Sequence, residues 1–374
     1  MLVKLKQQSL HNALQHVAAG LSARPLIPVL AGIKVQANKY GLTLTASNTS
    51  MALKYMIPMD GDVLTVERSG DVVIHARYFM DIIRTLPEDV VTLEEVENRN
   101  ICIQSGRSVY RLSTINSEEF PDMDPIDNKA WFCIDNDCFK KMVKQVSFAA
   151  SSSESRMVLT GVLFQTDGAS LRLVATDGIR FASRTSNTNT TISDMFPPAV
   201  IPAKYLFEYS KMITNVSGVT EVTLGEHIIR FTTDNFTMQS SLINGTYPAV
   251  DKLKPDGGSS EITLSTSHFL DAVERVSLLS GDTNVVGLRI SQSGAELFAR
   301  DADIGDVTEV VTFEETFLEP MIISFNGKYM RDIMRVIDSK HVQLRFTSKE
   351  KPIIVQPVDS HDGFYIISPV RTPF

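Results

Sequence analysis

The sequence of 374 residues contains only three cysteines, Cys102, Cys133 and Cys138, and no long uncharged apolar run. An odd and sparse cysteine count argues against a disulfide framework. The spacing of these cysteines, with no histidine nearby to complete a set of four ligands, argues against a zinc site. A membrane helix needs about 18 consecutive apolar residues, and no segment approaches that length. The sequence therefore predicts free thiols, no structural metal and no membrane span.

The N-terminal segment Met1–Lys6 also lacks the apolar core of a signal peptide. It alternates apolar and polar residues, and this period of two is typical of a strand. We therefore expect a cytoplasmic protein. Hydrophobic residues make up 43% and charged residues 21% of the chain, which is ordinary for a globular protein. A chain of this length is long enough for two or three domains.

Catalytic and nucleotide-binding motifs are missing as well. The sequence has no G-x-x-x-x-G-K-S/T or G-x-G-x-x-G phosphate loop, no H-E-x-x-H zinc motif and no G-x-S-x-G nucleophile elbow. Asp177 follows a predicted strand and precedes a glycine, and Asp-Gly is a strong turn signal. Asp301 and Asp303 also follow a predicted strand and are interpreted as turn or surface residues. We expect no catalytic residues, no metal ion and no cofactor.

What the sequence does contain is a weak threefold repeat. Val73–Phe79, Val200–Leu206 and Ser324–Met330 resemble one another, and each carries a basic residue followed by tyrosine where a helix is predicted to begin. The basic residues of successive segments are 127 and 124 positions apart. A unit of about 125 residues has the size of a whole domain rather than of a solenoid repeat.

A second anchor of the repeat is a glycine that precedes two short strands. It occurs in Val29–Ile33, Val158–Val162 and Val285–Leu288. From this glycine to an alanine in the following strand is 14 residues in the first two copies and 12 in the third. We therefore match Gly32, Gly161 and Gly287 as equivalent positions.

The predicted domain boundaries fall in segments rich in turn residues, Pro121–Pro125 and Lys254–Ser260. The predicted domains are residues 1–127, 128–256 and 257–374. Each copy begins with a strand and a helix and continues with several alternating strands. A second strand and helix and more strands follow, a pattern typical of α+β domains with two helices against antiparallel sheets. The six predicted helices span residues 8–20, 76–86, 136–150, 203–214, 266–280 and 327–337.

The net charge of −8 argues against a nucleic-acid partner only if the charge is evenly spread. The predicted helices hold eleven of the 36 basic residues and six of the 44 acidic ones, so they are net +5 and the remainder is net −13. If the helices share one surface, that surface attracts phosphates without sequence preference. Solvated cations on amphipathic helices are the alternative explanation. The basic residues are Arg77, Arg84, Lys140, Lys141, Lys144, Lys204, Lys211, Arg275, Lys328, Arg331 and Arg335.

Five motifs follow one another in order along the chain: Ser22–Leu30, Ser105–Pro121, Leu173–Arg180, Asn244–Pro248 and Pro369–Arg371. Together they resemble the bacterial sliding clamps, the beta subunits of the replicative DNA polymerase III, over essentially the whole chain. The resemblance implies three similar domains per chain and a head-to-tail homodimeric ring, with helices lining the hole and sheets outside. It implies a processivity factor that encircles double-stranded DNA without sequence preference and is not an enzyme. Any polymerase activity would belong to the holoenzyme.

The resemblance also implies three sets of site residues. It adds Arg24 to the DNA-contacting cations and singles out Lys204 among them. It implies a dimer interface between a first-domain strand and a third-domain helix, at Arg107, Tyr110, Leu112, Leu278 and Leu279. From the residues alone, the two leucines in that helix would be core residues. It implies an apolar groove for linear peptides of DNA polymerases, the clamp loader and repair proteins, lined by Leu159, Thr176, Gly178, Arg180, Phe181, Pro248, Leu253, Ile366, Ser368, Pro369, Val370 and Arg371.

The chain departs from the family pattern at three places. Ile179 stands where the motif often carries histidine, Ser368 replaces a large apolar residue, and the chain continues with Thr372–Phe374. These departures leave open an accessory clamp that serves repair or specialised replication. An alternative from another class is a small-molecule enzyme built from repeated α+β domains, which would need a pocket with convergent polar groups.

Overall fold

The computed structural model describes residues 1–22, 24–25, 27–97, 99–126, 130–189, 196–250, 260–291, 294–313 and 320–371. Within these ranges the chain forms six α-helices and 25 β-strands. Strand pairing among them is antiparallel throughout. The α+β prediction is confirmed.

The three copies of the repeat share one order of elements. The helices are α1 (Gln7–Ala18), α2 (Ala76–Thr85), α3 (Asn136–Ser147), α4 (Ala203–Met212), α5 (Thr266–Ser277) and α6 (Gly327–Met334). The strands of the first copy are β1 (Leu2–Lys6), β2 (Gly32–Asn38), β3 (Gly41–Ser47), β4 (Met51–Pro58), β5 (Leu64–Arg68), β6 (Gly70–His75), β7 (Val90–Val96), β8 (Asn100–Ser105) and β9 (Ser108–Ile115).

The second and third copies repeat this order with eight strands each, since neither has a counterpart of β5 among the described residues. The strands of the second copy are β10 (Ala130–Asp135), β11 (Gly161–Thr166), β12 (Ser170–Thr176), β13 (Arg180–Asn187), β14 (Ala199–Pro202), β15 (Val219–Leu224), β16 (Ile228–Thr233) and β17 (Phe236–Ser241). Those of the third copy are β18 (Ser260–Ser265), β19 (Val285–Ser291), β20 (Gly294–Asp301), β21 (Gly305–Val311), β22 (Met321–Asn326), β23 (His341–Phe346), β24 (Ile353–Pro357) and β25 (Gly363–Ile367). Each helix directly follows a strand, twice in every copy.

The predicted helices begin where the structure begins them, within one residue, but end one to three residues too late. The last turn tightens instead of continuing, because backbone N–H groups bond to carbonyls three residues back. Gly20 bonds to Val17 after α1, and Leu279 bonds to Val276 after α5. Such tightened turns commonly close helix ends, and apolar periodicity does not distinguish them from helix.

The repeated glycine of the first two copies has a packing reason. Gly32 opens β2 and Gly161 opens β11, and a Cβ at either position would lie 2.4 Å from a methyl group of Val73 or Val200. Val73 and Val200 occupy equivalent places in the neighbouring strands of the two copies. The glycine therefore lets two strands approach with a β-branched residue between them.

The match of Gly287 to these glycines is wrong by two residues. Val285 pairs with Asn326, the residue just before α6. In the other copies it is Gly32 and Gly161 that pair with the residue just before the second helix. From Val285 to Ala299 is 14 residues, the spacing of the first two copies. Glycine is required at position 287 for a different reason, because a Cβ there would lie 2.2 Å from the ring of Phe298.

The chain forms two compact units. The first comprises Met1–Asp137, Asn189–Phe196 and Lys211–Leu242, and the second comprises Cys138–Thr188, Pro197–Ser210 and Ile243–Phe374. The first unit holds one sheet in the order β10-β15-β16-β17-β4-β3-β2-β6-β9-β8-β7-β1-β5. The second holds two sheets, β14-β11-β12-β13-β25-β24-β23-β18 and β21-β20-β19-β22. Strands of neighbouring copies therefore share a sheet in each unit. The boundaries 1–127, 128–256 and 257–374 stay predictions.

Each helix buries one stripe of apolar side chains. Leu10, Leu14 and Val17 of α1 are buried, at spacings that place them on one helical face. Phe269 and Val273 of α5 are buried in the same way. The opposite helix faces carry polar and charged residues toward solvent. No helix among the described residues is long and apolar enough to cross a membrane. None of the three cysteines, all within the described ranges, forms a disulfide.

Candidate functional sites

An apolar cluster in the second unit joins the sheet strands of the second and third copies. The strands β13 and β25 are paired, which places Phe181 opposite Ile366. The buried members of the cluster are Leu163, Val174, Phe181, Val200, Val250 and Ile366, with Val158, Ile243, Tyr247 and Phe364 partly buried around them. This arrangement provides the apolar floor that a peptide groove between two domains requires.

The groove residues named from the sequence lie on or next to this cluster. Leu159 and Thr176 are buried, like the paired Phe181 and Ile366. The residues at the surface are Gly178 and Arg371, with Pro248, Ser368, Pro369 and Val370 half-buried. Leu253 and the tail Thr372–Phe374 lie outside the described residues. The assignment of this surface as a peptide groove stays a prediction.

A tight turn between β12 and β13 forms one rim of the cluster. One oxygen of the Asp177 carboxylate accepts hydrogen bonds from the backbone N–H groups of Ile179 and Arg180, both at 2.9 Å. The hydroxyl of Thr176 accepts from the N–H of Gly178 at 3.0 Å. Gly178 has φ +94°, a conformation that side chains rarely adopt. The interpretation of Asp177 as a turn residue is confirmed, and the turn presents the exposed side chain of Ile179.

Arg180 connects this turn to the third copy. Its Nε donates to Asp177 at 3.0 Å, and its Nη1 donates to Asp332 of α6 at 2.6 Å. The guanidinium carbon also lies 4.4 Å from the ring centroid of Tyr329 and 5.4 Å from that of Phe148. Only 12% of the Arg180 side chain is exposed. The side chain therefore fixes the shape of the rim more than it offers free donors to a ligand.

The segment after β25 is held on both sides. The N–H of Ser368 donates to the carbonyl of Ile179 at 2.9 Å, and the N–H of Val370 donates to the carbonyl of Ser324 in β22 at 2.7 Å. The segment therefore links the two sheets of the second unit. Its position is set by main-chain bonds, so side-chain changes at Ser368 alter the surface without releasing the backbone.

Strand β9 in the first unit has an open edge. It pairs with β8 along its length but with β6 only at Thr114 and Ile115. The side chains of Arg107 and Tyr110 are exposed, and Leu112 is half-buried. Unpaired strand edges are templates for pairing with another chain. The residues assigned to the dimer interface in this copy thus lie on a surface that is free to pair.

The third copy has its own open edge, which the sequence did not point to. Strand β21 ends its sheet and pairs only with β20 among the described strands. Val310 on this strand is 69% exposed, and Leu278, just after α5, is 77% exposed. Leu278 is therefore not a core residue, while Leu279 is half-buried. The β-branched residues Val307, Thr308, Val310 and Val311 were the available sequence signal for β21.

The twelve predicted DNA-contacting cations differ in their surroundings. Arg84 forms an ion pair with Asp81 at 3.2 Å, Arg335 with Glu274 at 2.6 Å, and Arg275 with Glu309. Those with exposed side chains are Arg24, Arg77, Arg84, Lys141, Lys144, Lys204, Lys211, Arg275, Lys328 and Arg335, while Lys140 and Arg331 are half-buried. Exposed ion pairs are weak, so the paired arginines remain available to a phosphate.

The three repeat-equivalent cations occupy the same place in their helices. Arg77, Lys204 and Lys328 are each the second residue of α2, α4 and α6, and none of these helices has an acidic residue in its first turn. A cation beside the positive end of the helix dipole is unfavourable for the isolated helix. Helix N-termini bind anions, and a cation there strengthens the attraction.

Among the described residues, no group of three or more His, Cys, Asp or Glu side chains could hold a metal ion. Asp301 also forms a turn, accepting from the N–H groups of Asp303 and Ile304. Open strand edges, helix cations and an apolar cluster are features suited to binding other macromolecules.

Three family models match successive parts of the chain, and they define its class as a three-domain DNA polymerase III beta subunit. The N-terminal domain matches residues 1–124, the central domain residues 133–249 and the C-terminal domain residues 251–371. Beta sliding clamps of Bacillus subtilis and Halalkalibacterium halodurans are 30% and 32% identical over 378 and 364 residues, covering 100% and 96% of both chains.

Solved structures agree with this class. The crystal structure of the DNA polymerase sliding clamp from Bacillus subtilis is 30% identical with a TM-score of 0.95, and the alignment covers 100% of this chain and 99% of that one. The DNA polymerase III beta chain from Streptococcus pneumoniae is 27% identical with a TM-score of 0.94, covering 99% of this chain and 100% of that one. The chain belongs to the family of bacterial beta sliding clamps, the beta subunits of DNA polymerase III. The comparisons favour neither an accessory clamp nor a small-molecule enzyme.

Proposed function

We propose that two copies of this chain close head to tail into a ring around double-stranded DNA and tether the replicative DNA polymerase in the cytoplasm. The observation that carries this proposal is the pair of open strand edges, β9 in the first copy of the repeat and β21 in the third. A chain with two different open edges can pair with a second copy twice, and two such pairings close a ring.

Charge on the two edges supports head-to-tail pairing. Arg107 and Arg111 lie exposed on or beside β9, whereas the exposed Asp306 lies on β21, where Glu309 is already paired with Arg275. Opposite charges on the two edges favour pairing of unlike edges over pairing of like ones. The exposed Leu278 beside α5 would be covered in the closed ring, adding apolar burial to the main-chain bonds.

Contacts with DNA in this proposal are electrostatic and weak. Arg77, Lys204 and Lys328 stand at positive helix ends that attract phosphates, and the remaining helix cations and Arg24 add to the field. Phosphate contacts carry no sequence information and exchange readily as a protein slides. A closed ring holds DNA by topology, so strong contacts are unnecessary.

The apolar groove beside Phe181 and Ile366 is the docking site in this proposal. It would accept short linear peptides from the DNA polymerase, the clamp loader and repair proteins. The chain itself would transfer no nucleotide, and catalysis would belong to the polymerase that it tethers.

A processivity assay tests the proposed function. The polymerase and clamp loader of the same source extend a primer on a long circular template, with and without this protein, at a salt concentration that weakens the polymerase alone. Longer products per binding event are expected with the protein. Product lengths that do not change when the protein and loader are both added would contradict the proposal.

A further inference from the structure

A cavity in the first unit lies beside the junction where β4 of the first copy pairs with β17 of the second. Its volume is about 470 Å³, which is enough for a side chain or a small ligand. Its walls come from α1, β4 and the β16–β17 hairpin, with Met212 and Thr214 at and just after the end of α4. All of these residues belong to one compact unit, so the cavity is part of the fold of that unit.

Three aromatic rings form one wall of the cavity. The ring centroid of His16 lies 4.7 Å from that of Tyr55 and 5.5 Å from that of Phe236, and the last two are 6.4 Å apart. Nδ1 of His16 lies 2.7 Å from the carbonyl oxygen of Asn12 and donates to it, so Nε2 of the neutral ring is an acceptor. Aromatic faces attract cations, and a planar guanidinium can also stack on them.

The lining of the cavity is negatively charged. Within the part of the chain that the structure describes, it has one carboxylate, Asp234, and no lysine or arginine. Asp234 is exposed in the two-residue turn between β16 and β17, and its side chain has no hydrogen bond or ion pair to another described residue. Its charge acts on the ring wall, since burial raises the pKa of the Tyr55 phenol and Asp234 raises it further. A ligand therefore meets an accessible carboxylate beside an aromatic surface.

The second unit has an equivalent junction, where β13 of the second copy pairs with β25 of the third. Tyr55 on β4 pairs with Phe236, the first residue of β17. Arg184 on β13 pairs with Gly363, the first residue of β25. Tyr55 and Arg184 therefore occupy equivalent positions in the two units.

Arg184 supplies a cation to the junction of the second unit. It donates from Nη1 to the hydroxyl of Ser360 at 2.9 Å, and its Nη2 lies 3.5 Å from the carboxylate of Asp362. Ser360 and Asp362 lie in the connection between β24 and β25, which corresponds to the turn that carries Asp234. The second unit thus pairs its carboxylate with its own guanidinium. In the first unit an aromatic ring takes the place of that guanidinium, and Asp234 is left without a cation.

We propose that the cavity of the first unit binds the guanidinium group of an arginine side chain that a protein partner supplies. The guanidinium pairs with Asp234 and stacks on the wall of His16, Tyr55 and Phe236, and so takes the part that Arg184 has in the second unit. A planar fork of donors suits this site better than the compact ammonium of lysine. The inference does not depend on the apolar groove, whose cluster lies in the second unit.

Met212 provides the signal for a test, because it lines the cavity. The full-length protein is labelled with carbon-13 at the methyl groups of its 14 methionines, and the Met212 resonance is assigned with Met212→Leu. Acetyl-arginine amide and its uncharged counterpart acetyl-citrulline amide are titrated separately. The arginine compound is expected to shift the Met212 resonance and to bind about tenfold more tightly than the citrulline compound.

Two variants remove the cation site in different ways. Asp234→Asn is expected to lower the affinity for the arginine compound to that for the citrulline compound. Tyr55→Arg gives the first unit the residue found at the equivalent position of the second, and it is expected to abolish binding because the new side chain pairs with Asp234. Glu226→Gln removes an exposed carboxylate from the turn between β15 and β16, outside the cavity, and is the matched control that should bind as the wild type does.

The other methionine resonances show whether each variant keeps its fold. Equal affinities of the two compounds for the wild-type protein would overturn the inference, as would an arginine preference that survives in Asp234→Asn. A Met212 resonance that neither compound shifts would also overturn it. Each of these results would leave the proposed ring and the peptide groove untouched.

Discussion

The groove rim and the helix cations are held by the protein in opposite ways. Around the groove, Asp177, Arg180 and Ser368 are fixed by main-chain and charged hydrogen bonds between 2.6 and 3.0 Å. Lys204 and Lys328, in contrast, extend exposed side chains from the first turns of helices. In the proposed function, peptide recognition needs a fixed shape, whereas sliding along DNA needs charge without fixed geometry. The open edges β9 and β21 have an ordered backbone, along which outward N–H and C=O groups lack a partner strand among the described residues.

The largest effect is expected from breaking the rim. Arg180→Ala leaves Asp177 and Asp332, with 13% and 29% of their side chains exposed, without their cation. Removing one member of a buried charge network typically costs about 3–5 kcal/mol, and partial exposure lowers that toward about 2–3 kcal/mol here. Urea unfolding followed by circular dichroism measures the loss. Arg184→Ala is the control, because its pair with Asp362 at 3.5 Å is more exposed and should cost less than about 1 kcal/mol. Equal losses in the two variants would contradict the role given to Arg180.

The next largest effect is expected at the proposed dimer interface. Leu278→Asp places a charge where the proposed interface covers an apolar side chain, and loss of that burial is worth about 1.5–3 kcal/mol per interface. Sedimentation equilibrium should show a dimer for the wild type and a shift toward monomer for the variant. Val358→Asp changes another exposed apolar residue, which is 42% exposed, and should leave the dimer intact. A variant Leu278→Asp that dimerises as tightly as the wild type would remove Leu278 from the interface.

A smaller effect is expected from filling the groove. Ser368 is half-buried and its backbone is fixed, so Ser368→Leu adds apolar surface without moving the chain. Burial of the added carbons should tighten an apolar peptide by about 1–2 kcal/mol, or roughly tenfold. Titration of the wild type and the variant with one such peptide measures the change. Ser348→Leu, at an exposed turn, is the matched control. An unchanged affinity in Ser368→Leu would mean that this position does not line the groove.

The smallest effect is expected for a single helix cation. Lys204→Gln should make the slope of the logarithm of DNA affinity against the logarithm of salt concentration less steep. The change should be about 0.9 for each phosphate that the side chain no longer neutralises. Affinity at one salt concentration should change little, and stability not measurably. Lys349→Gln, an exposed lysine in the connection between β23 and β24, should leave the slope unchanged. A large loss of stability in Lys204→Gln would show that this cation is held as firmly as the groove rim.

The sequence was sufficient to predict the repeat and the helix starts. In each copy a basic residue, Arg77, Lys204 or Lys328, is followed by tyrosine where a strand changes abruptly to a helix. This pattern could be predicted because adjacent residues encode it. The turn at Asp177 was predicted for the same reason, since its hydrogen bonds reach only two and three residues along the chain.

Features that depend on distant partners could not be predicted. Asp332, the partner of Arg180, is 152 positions away, and nothing local marks the pair. Leu278 has the residue type of a core position, but it lies two residues after the buried Val276 and therefore off the buried face of α5. Gly287 was mismatched because one glycine in a strand gives no register, which depends on the pairing of Val285 with Asn326.

Retention on circular and linear DNA tests the central claim, that the chain acts as a closed ring, most directly. The protein is loaded on nicked circular DNA by its clamp loader and separated by gel filtration at raised salt, before and after the DNA is cut once. A ring is predicted to stay on the circle and to leave the linear DNA through its ends. Equal retention on both forms, fading together as salt is raised, would show electrostatic binding alone and would contradict the account.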